Sequence, residues 1–409
     1  MSEKPDRYTR WTVIAAGEGG GRIASKYFTR NREYDANPGI DDRVLLLNTN
    51  RSDMRNAIDR IESALPDAED TGRYTATFGS LDGVGNDFEQ GEMCANEDFD
   101  RIVTRINGAG IDVAQAFLYL TTLGGGTGNG TIPQLIRDLK HDPPTTAFES
   151  PNIAHIAFAA WPYDHDGPQQ HYNAVCGLSR LLRWYDGSQN ADMVLLASNS
   201  TVAERFHDDT GENGEHEVVN EWIRRVIDMM IYAGRDASRV IDTQDYIGQP
   251  SRIDAYHFTP AIETRMQTIY ELSYMFDEAA SNAFVPMEPE TSNAIYAIVR
   301  VPRADLEGGT YDQNQLSQAV HDWLAENGCD DIQHRNQAFV PHDRGDGTAD
   351  VLLLFGGFDL TMLLAGSVDD FRSHYEAPVD RGSDGSAYLS QQEYQRISQN
   401  LEDYMGQSL

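Results

Sequence analysis

Apolar and polar positions alternate along the chain in blocks that favour strand, then helix, then strand again. Trp11 to Ala16 is a short apolar run, followed by glycines and an amphipathic stretch from Arg22 to Arg30. Val44 to Leu47 is a second apolar run, with Ser52 to Leu65 as its helix, and a glycine-punctuated loop covers Phe78 to Gly91. Phe99 to Ile106 has helical spacing, Val113 to Leu120 reads as a strand, and an amphipathic helix then runs to Lys140. Ile153 to Ala160 and Met193 to Ala197 are further strands, with a helix over Gln169 to Tyr185 between them. Short apolar runs alternating with helical periodicity predict a parallel α/β sheet.

Glu217 to Ala233 breaks this rhythm. Val218, Val219, Trp222, Ile223, Val226, Ile227, Met230 and Ile231 cover most of the helix circumference, the pattern of a helix buried on nearly all sides. The domain joint is expected there. Beyond it, Asn293 to Val301, Ile332 to Val340 and Val351 to Phe355 read as strands and Gln313 to Asn327 as a helix, which gives a smaller α+β domain. Residues 373 to 387 hold a polar linker. Tyr394, Ile397, Leu401 and Tyr404 then form one helical stripe, expected to dock on its own domain rather than recruit a partner. The domains are therefore 1–216, 217–248, 249–375 and a tail, 376–409.

With 409 residues, more than one core is expected. Met1 to Arg10 is polar, and no apolar run approaches the roughly 20 residues that span a bilayer. Cytoplasmic location without membrane insertion follows as an expectation. Cys94, Cys176 and Cys329 form no CxxC pair and read as reduced, buried residues. The formal charge is −33, and only three of the 32 basic residues are lysine. Such a composition suits a salt-adapted cytosolic protein, as in haloarchaea, because at about 1 M salt charges are screened beyond roughly 3 Å. It argues against a nucleic-acid partner, which wants a basic surface.

Glycines cluster at three places: Gly17 to Gly21, Gly83 to Gly91, and Gly124 to Gly130. Between a strand and a helix, glycines let backbone N–H groups approach phosphate oxygens, and the helix N-terminus adds favourable charge. Three such places on one sheet point to a nucleotide held by backbone. A P-loop is excluded, because Gly125-Gly-Thr-Gly-Asn-Gly130-Thr131 has the glycine spacing without the lysine. A dinucleotide fold wants GxGxxG and an acid about 20 residues later. Gly17-Glu-Gly-Gly-Gly21 matches imperfectly, and the second run ends in Asn48-Thr49-Asn50. An NAD-binding, Rossmann-like oxidoreductase stays as an alternative.

The block Gly124-Gly-Gly-Thr-Gly-Asn-Gly130 resembles the GGGTG(S/T)G signature of the tubulin/FtsZ superfamily, and its neighbours agree in order. Gly17-Glu18-Gly19-Gly20-Gly21-Arg22 resembles the first loop of the archaeal CetZ branch. Asn48-Thr49-Asn50 resembles the NTD after the FtsZ second strand. Gly83 to Gly91 resembles the GAGANPEVG loop of FtsZ. The resemblance runs over about residues 11 to 247. It implies the tubulin/FtsZ fold: a Rossmann-like parallel-sheet GTPase domain, a long central helix and a smaller α+β domain.

What the resemblance further implies is a GTP/GDP site. Gly17, Glu18, Gly19, Gly20, Arg22 and Asn48 would line it. Gly124, Gly125, Gly126, Thr127, Gly128 and Asn129 would wrap the α- and β-phosphates, and Gly85 and Asn86 would lie near the γ-phosphate. Asp166 would meet the ribose, Asn199 the sugar and base, and Asn220 the guanine edge, with His216 stacked on the ring. Asp242 and Asp245, in Val240-Ile-Asp-Thr-Gln-Asp245, would enter the next subunit's site and orient water. The implied partner is a second copy, in a head-to-tail filament, with related tubulin-superfamily subunits as further partners.

Three departures stand beside this. Val240 replaces the usual asparagine, and Gln170 falls where FtsZ has an arginine. Glu18 replaces a glycine or glutamine near the phosphates, where it would either hold Mg2+ or pair with Arg22. A weakly hydrolysing or non-hydrolysing GTP-binding homologue is the second reading. Asp164, His165, Asp166 and His171, and His207, Asp208, Asp209 and His216, lack zinc-ligand spacing and read as solvated loops.

Overall fold

The computed structural model describes residues 9–29, 43–64, 71–79, 82–108, 114–141, 153–207, 214–235, 237–248, 250–268, 271–376 and 391–405. In chain order the first elements are β1 (Trp11–Ala16), α1 (Gly17–Thr29), β2 (Val44–Asn48), α2 (Arg51–Ala64), β3 (Thr75–Thr77), α3 (Phe88–Glu97), α4 (Phe99–Gly108) and β4 (Ala116–Thr122). They continue with α5 (Thr127–His141), β5 (Ala154–Trp161), α6 (Pro168–Leu182), β6 (Met193–Ser198), α7 (Asn199–Arg205), α8 (Glu215–Ala233), α9 (Thr243–Ile247) and β7 (His257–Gln267). The last are α10 (Leu272–Ser281), β8 (Ala294–Pro302), α11 (Arg303–Glu307), α12 (Gln313–Glu326), β9 (His334–His342), β10 (Thr348–Gly356), α13 (Thr361–Leu364), α14 (Val368–Glu376) and α15 (Gln391–Glu402).

The chain divides into two compact units. One holds residues 10–194, 198–200 and 360–409, the other 195–197 and 201–359. The first unit is a parallel sheet in the order β3-β2-β1-β4-β5. Its central strands carry no polar face: every residue of β1, β2 and β5 is buried, as expected where helices cover both sides of a parallel sheet. This is the predicted α/β half: β1 falls on its predicted limits, the other predicted strands shift by at most three residues, and β3 had no predicted counterpart.

The second unit contains β7, β10, β8 and β9. β10 pairs antiparallel with β7 and β8, and β8 pairs parallel with β9. Phe276, Trp323, Phe339 and Phe355 pack in its core with the aliphatic residues of α10 and α12. Helix α8 belongs to this unit, and the eight apolar residues picked out in the sequence, with Met229, are all buried. The strand β7 has no clear sequence signal. Thr259, Glu263 and Arg265 interrupt its apolar pattern, and Pro260 removes a ladder donor.

The C-terminal stripe forms helix α15. Ile397 and Leu401 are fully buried, and Asn400 Nδ2 donates to Ser179 Oγ at 3.3 Å and to the Arg183 carbonyl at 3.2 Å. The stripe therefore docks within the chain, but on α6 of the first unit rather than on the neighbouring α+β unit. Tyr394 stacks on Phe371 at 4.8 Å between ring centres, and Phe371 on Tyr172 at 5.7 Å. Cys94, Cys176 and Cys329 are buried, with no disulfide between them. Among the described residues no helix is long and apolar enough to cross a membrane.

Candidate functional site

Strand order reverses between β1 and β4, and helices α1 and α5 both start at the carboxyl ends of those strands. Such a switch point is where open α/β sheets bind ligands. Each helix start exposes backbone N–H groups with no intrahelical partner and the positive end of a dipole, which together attract anions. Gly17 takes φ +75° to turn the chain out of β1, and a Cβ on it would lie 3.0 Å from the Gly128 nitrogen. The two helix starts are thus in contact. Thr49 Oγ1 and Thr127 Oγ1, 2.6 Å apart, tie the end of β2 to the same corner.

The glycine stretches are not free loops. Gly17 to Gly21 form the first turns of α1, and Gly128 and Gly130 lie in the first turn of α5. Phe88 to Gly91 open α3. The reason is packing. A Cβ on Gly130 would sit 2.2 Å from the Phe88 carbonyl oxygen, and one on Gly91 would sit 2.5 Å from that of Gly126. Helices α3 and α5 approach backbone to backbone, which only glycine permits. Gly85 and Asn86 stand apart: both take left-handed φ, +54° and +64°, ahead of the Asp87 cap of α3. They form a turn beside Gly126, whose added Cβ would meet the Asn86 carbonyl carbon at 2.9 Å.

Two assigned residues spend their side chains inside the protein. Asn129 is fully buried, and its Nδ2 donates to the carbonyls of Leu123 at 2.9 Å and Asn173 at 2.7 Å. Asn48 is 5% exposed, and its Oδ1 accepts from the Asn50 nitrogen at 2.9 Å. At position 129, only backbone is left for a ligand. Asn50 Oδ1 in turn accepts from the Ser52 nitrogen at 2.7 Å, at the start of α2.

Sequence reasoning missed the polar layer beneath the glycine walls. Arg180 is fully buried with its guanidinium 4.2 Å above the Phe88 ring. It donates to Glu92 Oε2 at 2.5 Å and to the Asn129 carbonyl at 3.0 Å. Tyr185 Oη also donates to Glu92 Oε2, at 3.2 Å. Asn173 is fully buried and bonds both glycine walls. A signal existed: Gln169, Asn173, Gly177 and Arg180 put a polar and small stripe on one face of α6, whose other residues from His171 to Leu182 are nevertheless buried.

Glu18, at the start of α1, accepts from Arg22 Nε at 3.1 Å. The pair is half-exposed; the pairing expected as one of two outcomes is formed through Oε1, and Oε2 has no hydrogen bond among the described residues. Asp53 stands nearby, its carboxyl raised above the usual range by burial and then by repulsion from Glu18. Asp166 Oδ2 accepts from the Tyr163 nitrogen at 2.8 Å, and Ser200 Oγ, next to Asn199, accepts from the Asp164 nitrogen at 2.8 Å. The turns carrying Asp166 and Asn199 are therefore joined. His171 is not part of a metal cluster: it is buried with Nδ1 2.8 Å from Ser367 Oγ. Asp208 and Asp209 lie outside the described residues, among which no three His, Cys, Asp or Glu side chains gather around a metal position.

Glu89, on α3, is pushed up to about 7. Burial is the main cause, with repulsion from Asp87, Glu393 of α15 and Glu92 added, and Arg180 opposing. A carboxyl raised on folding favours the folded state while it keeps its proton. Its contribution is complete below about pH 4.5 and is lost as pH rises through about 7. Glu89→Gln is therefore expected to flatten the fall in stability between pH 5 and 8, measured by urea midpoints at both pH values. Equal falls in the variant and the natural protein would contradict this.

The second unit carries the remaining assigned residues. Asn220 is 8% exposed on α8, and His216 is exposed in its first turn. Asp242 and Asp245 form a capping box on α9. Asp242 Oδ1 accepts from the nitrogens of Gln244 (2.8 Å) and Asp245 (3.1 Å), and Asp245 Oδ2 accepts from the Asp242 nitrogen (3.0 Å). The second oxygen of each has no hydrogen bond among the described residues. Val240, two residues before the box, is 48% exposed.

Residues 10–205 match the family model described as Tubulin/FtsZ family, GTPase domain. In sequence the chain is 30% identical over 128 residues to tubulin-like protein CetZ1 of Haloferax volcanii, covering 31% of this chain and 30% of that one. It is 24% identical over 302 residues to CetZ2 of the same organism, covering 72% and 69%. The first match thus spans under a third of its relative's length. In structure, the chain is similar to CetZ1 solved as a GDP-bound monomer, with TM-score 0.68, 19% identity, and 90% and 99% of the two chains covered. It is also similar to CetZ2 solved as a GTPγS-bound protofilament, with TM-score 0.67, 18% identity, and 90% and 98% covered. The fold is shared.

Proposed function

We propose that this chain is a CetZ-like member of the tubulin/FtsZ superfamily of cytoskeletal GTPases, as the family match over residues 10–205 and the shared fold support, and that it binds GTP and GDP at the β1/β4 switch point and polymerises head to tail, with GTP hydrolysed where two subunits meet. One observation carries the reading: the starts of α1 and α5 converge there, beside the left-handed Gly85–Asn86 turn. The backbone of Gly124 to Asn129 would hold the α- and β-phosphates, with Gly17, Gly19, Gly20 and Thr127 completing the wall. Gly85 and Asn86 would face the γ-phosphate. Asp166 would take the ribose, its orientation fixed by the bond from the Tyr163 nitrogen. Asn199 would take sugar and base. His216 and Asn220 are assigned to the guanine by resemblance alone.

Magnesium fits the oxygen donors at this corner. It binds through one or two carboxylates plus phosphate oxygens, and Glu18 and Asp53 are carboxylates of one neighbourhood. The ion would neutralise charge on the phosphates; Glu18, released from or shared with Arg22, would hold it. Asp242 and Asp245 would serve the next subunit's nucleotide through their unbonded oxygens, positioning water, in a reaction that needs placement and charge stabilisation more than covalent chemistry. The filament reading is supported by the fold shared with CetZ2, which was solved as a protofilament.

The tests are direct. Nucleotide released from purified, denatured protein should be guanine nucleotide; bound NAD would favour the oxidoreductase alternative. GTP, but not GDP, should drive pelleting in molar potassium chloride. Because Asp242 also caps α9, alanine would confound two losses. Asp242→Asn keeps the accepting oxygen, so stability should stay within about 0.5 kcal/mol while phosphate release falls about a hundredfold or more, the lower end of the range for a positioned acid–base group. Unchanged release would remove Asp242 from this role. Exposed Val240 in place of a polar residue favours the second reading, a co-assembling homologue with little turnover. Pelleting with GTP and no phosphate release in the natural protein would select it.

A further inference from the structure

We propose that Asn173 is a positioning residue that fixes the spacing between the two glycine walls and thereby sets the preference for GTP over GDP. The inference rests on the nucleotide reading above. Asn173 lies on α6, is fully buried, and uses its whole amide. Its two Nδ2 hydrogens go to carbonyls of different loops: Asn86 at 2.8 Å and Gly124 at 3.0 Å. Its Oδ1 accepts from Gln169 Nε2 at 2.8 Å. This pattern fixes which end of the amide is which, since a flipped amide would face two carbonyls with an oxygen. The Asn173 backbone carbonyl accepts from Asn129 Nδ2 at 2.7 Å, so the start of α5 hangs on the same residue.

One side chain therefore spans the turn assigned to the γ-phosphate and the block assigned to the α- and β-phosphates. The first of these needs holding. Gly85 and Asn86 both take left-handed φ, and a Cβ at Gly85 would meet nothing within 4 Å, so side-chain packing does not hold that position. The bond from Asn173 secures the Asn86 carbonyl directly. Helix α6 also starts right after Asp166 and Gly167, so the same rigid element relates the ribose corner to both phosphate walls. Thr49 and Thr127 also join two loops of this corner, through their hydroxyls, whereas His155 pairs with Tyr119 inside the sheet and Arg344 with Asp350 beside a strand of the other unit.

The experiment compares GTP and GDP affinities of the full chain, in molar potassium chloride with magnesium, by competition against a fluorescent guanine nucleotide. In Asn173→Ala, affinity for GTP is expected to fall about tenfold, the size of one or two lost hydrogen bonds, and affinity for GDP less than about threefold. A general loss of structure would weaken both alike, so the ratio is the diagnostic readout. An unchanged ratio in a folded variant overturns the proposal. If Asn173→Ala does not fold, Gln169→Ala decides: it keeps Asn173 but frees its amide to turn. The ratio should shift the same way by about two- to threefold, and an unshifted ratio overturns the proposal. Failure of the natural protein to bind either nucleotide would instead defeat the functional reading on which it rests.

Discussion

Alanine at position 130 is expected to destabilise the nucleotide-binding unit by about 3 kcal/mol or more, the upper range for overpacking. The sign is the informative part, because glycine to alanine inside a helix ordinarily gains roughly 0.5–1 kcal/mol. At Gly130 the new methyl would lie 2.2 Å from the Phe88 carbonyl oxygen, 2.4 Å from the Glu92 nitrogen and 2.6 Å from the Gly91 carbonyl carbon. All three are backbone atoms of α3, so no rotamer change relieves them. Either α3 and α5 separate, or the start of α5 distorts. Gly108→Ala is the control: that glycine ends α4 with nothing within 4 Å of its added Cβ. Denaturant unfolding of both variants checks the difference, and a Gly130→Ala midpoint equal to that of the natural protein would refute the packing account.

Removing Arg180 should cost about as much by another route. Its fully buried side chain pairs with Glu92, which is 21% exposed, and also bonds the Asn129 carbonyl. Arg180→Met would leave the Glu92 carboxylate without its cation and an inward carbonyl without one donor. Breaking a buried pair from one side typically costs about 3–5 kcal/mol. Replacing both partners with apolar residues is often far milder. The double variant Arg180→Met, Glu92→Met is therefore expected to be more stable than Arg180→Met alone, with a coupling of at least about 1 kcal/mol in a double-mutant cycle. Strictly additive losses would show that the two side chains do not act as a unit.

These two sites mark where sequence reading succeeded and where it stopped. The parallel half was legible because its strands are short continuous apolar runs between glycines and helices. The Val44 to Leu47 run became β2, Val44–Asn48. The glycine blocks were legible as special backbone, but most of them turned out to be helix starts packed on other backbone. Which backbone they meet is a long-range fact: Gly130 and Phe88 are 42 residues apart in sequence, and nothing local pairs them. Asn173 and Arg180 were missed for a related reason, although their stripe on α6 could be read. A polar residue in a helix has surface exposure as its usual meaning, and only the fold reveals that α6 turns this face inward. In the other unit, β7 was missed because pairing with β10 on one side, not its own pattern, makes it a strand. The tail stripe was read as buried, and Ile397 and Leu401 are so. Its docking partner, α6, lies more than 200 residues away, as the 221-residue separation of Asn400 and Ser179 shows.

The packing of α3 against α5 also bears on how the glycine signature records descent. Gly91, Gly126, Gly128 and Gly130 are each held by backbone that a methyl group would strike at less than 3 Å. A lineage that ceased to use nucleotide would still be unable to change them without losing the fold. Persistence of these four glycines among relatives would therefore record architecture rather than chemistry. Gly125 is different: an added methyl there would meet only Thr122 Oγ1, at 4.0 Å. The second oxygens of Glu18, Asp242 and Asp245 likewise have no hydrogen bond among the described residues, although the first oxygen of each pairs with Arg22 or caps α9. Drift at these positions among descendants, set against constancy at the other four, would be the trace left by a change of use.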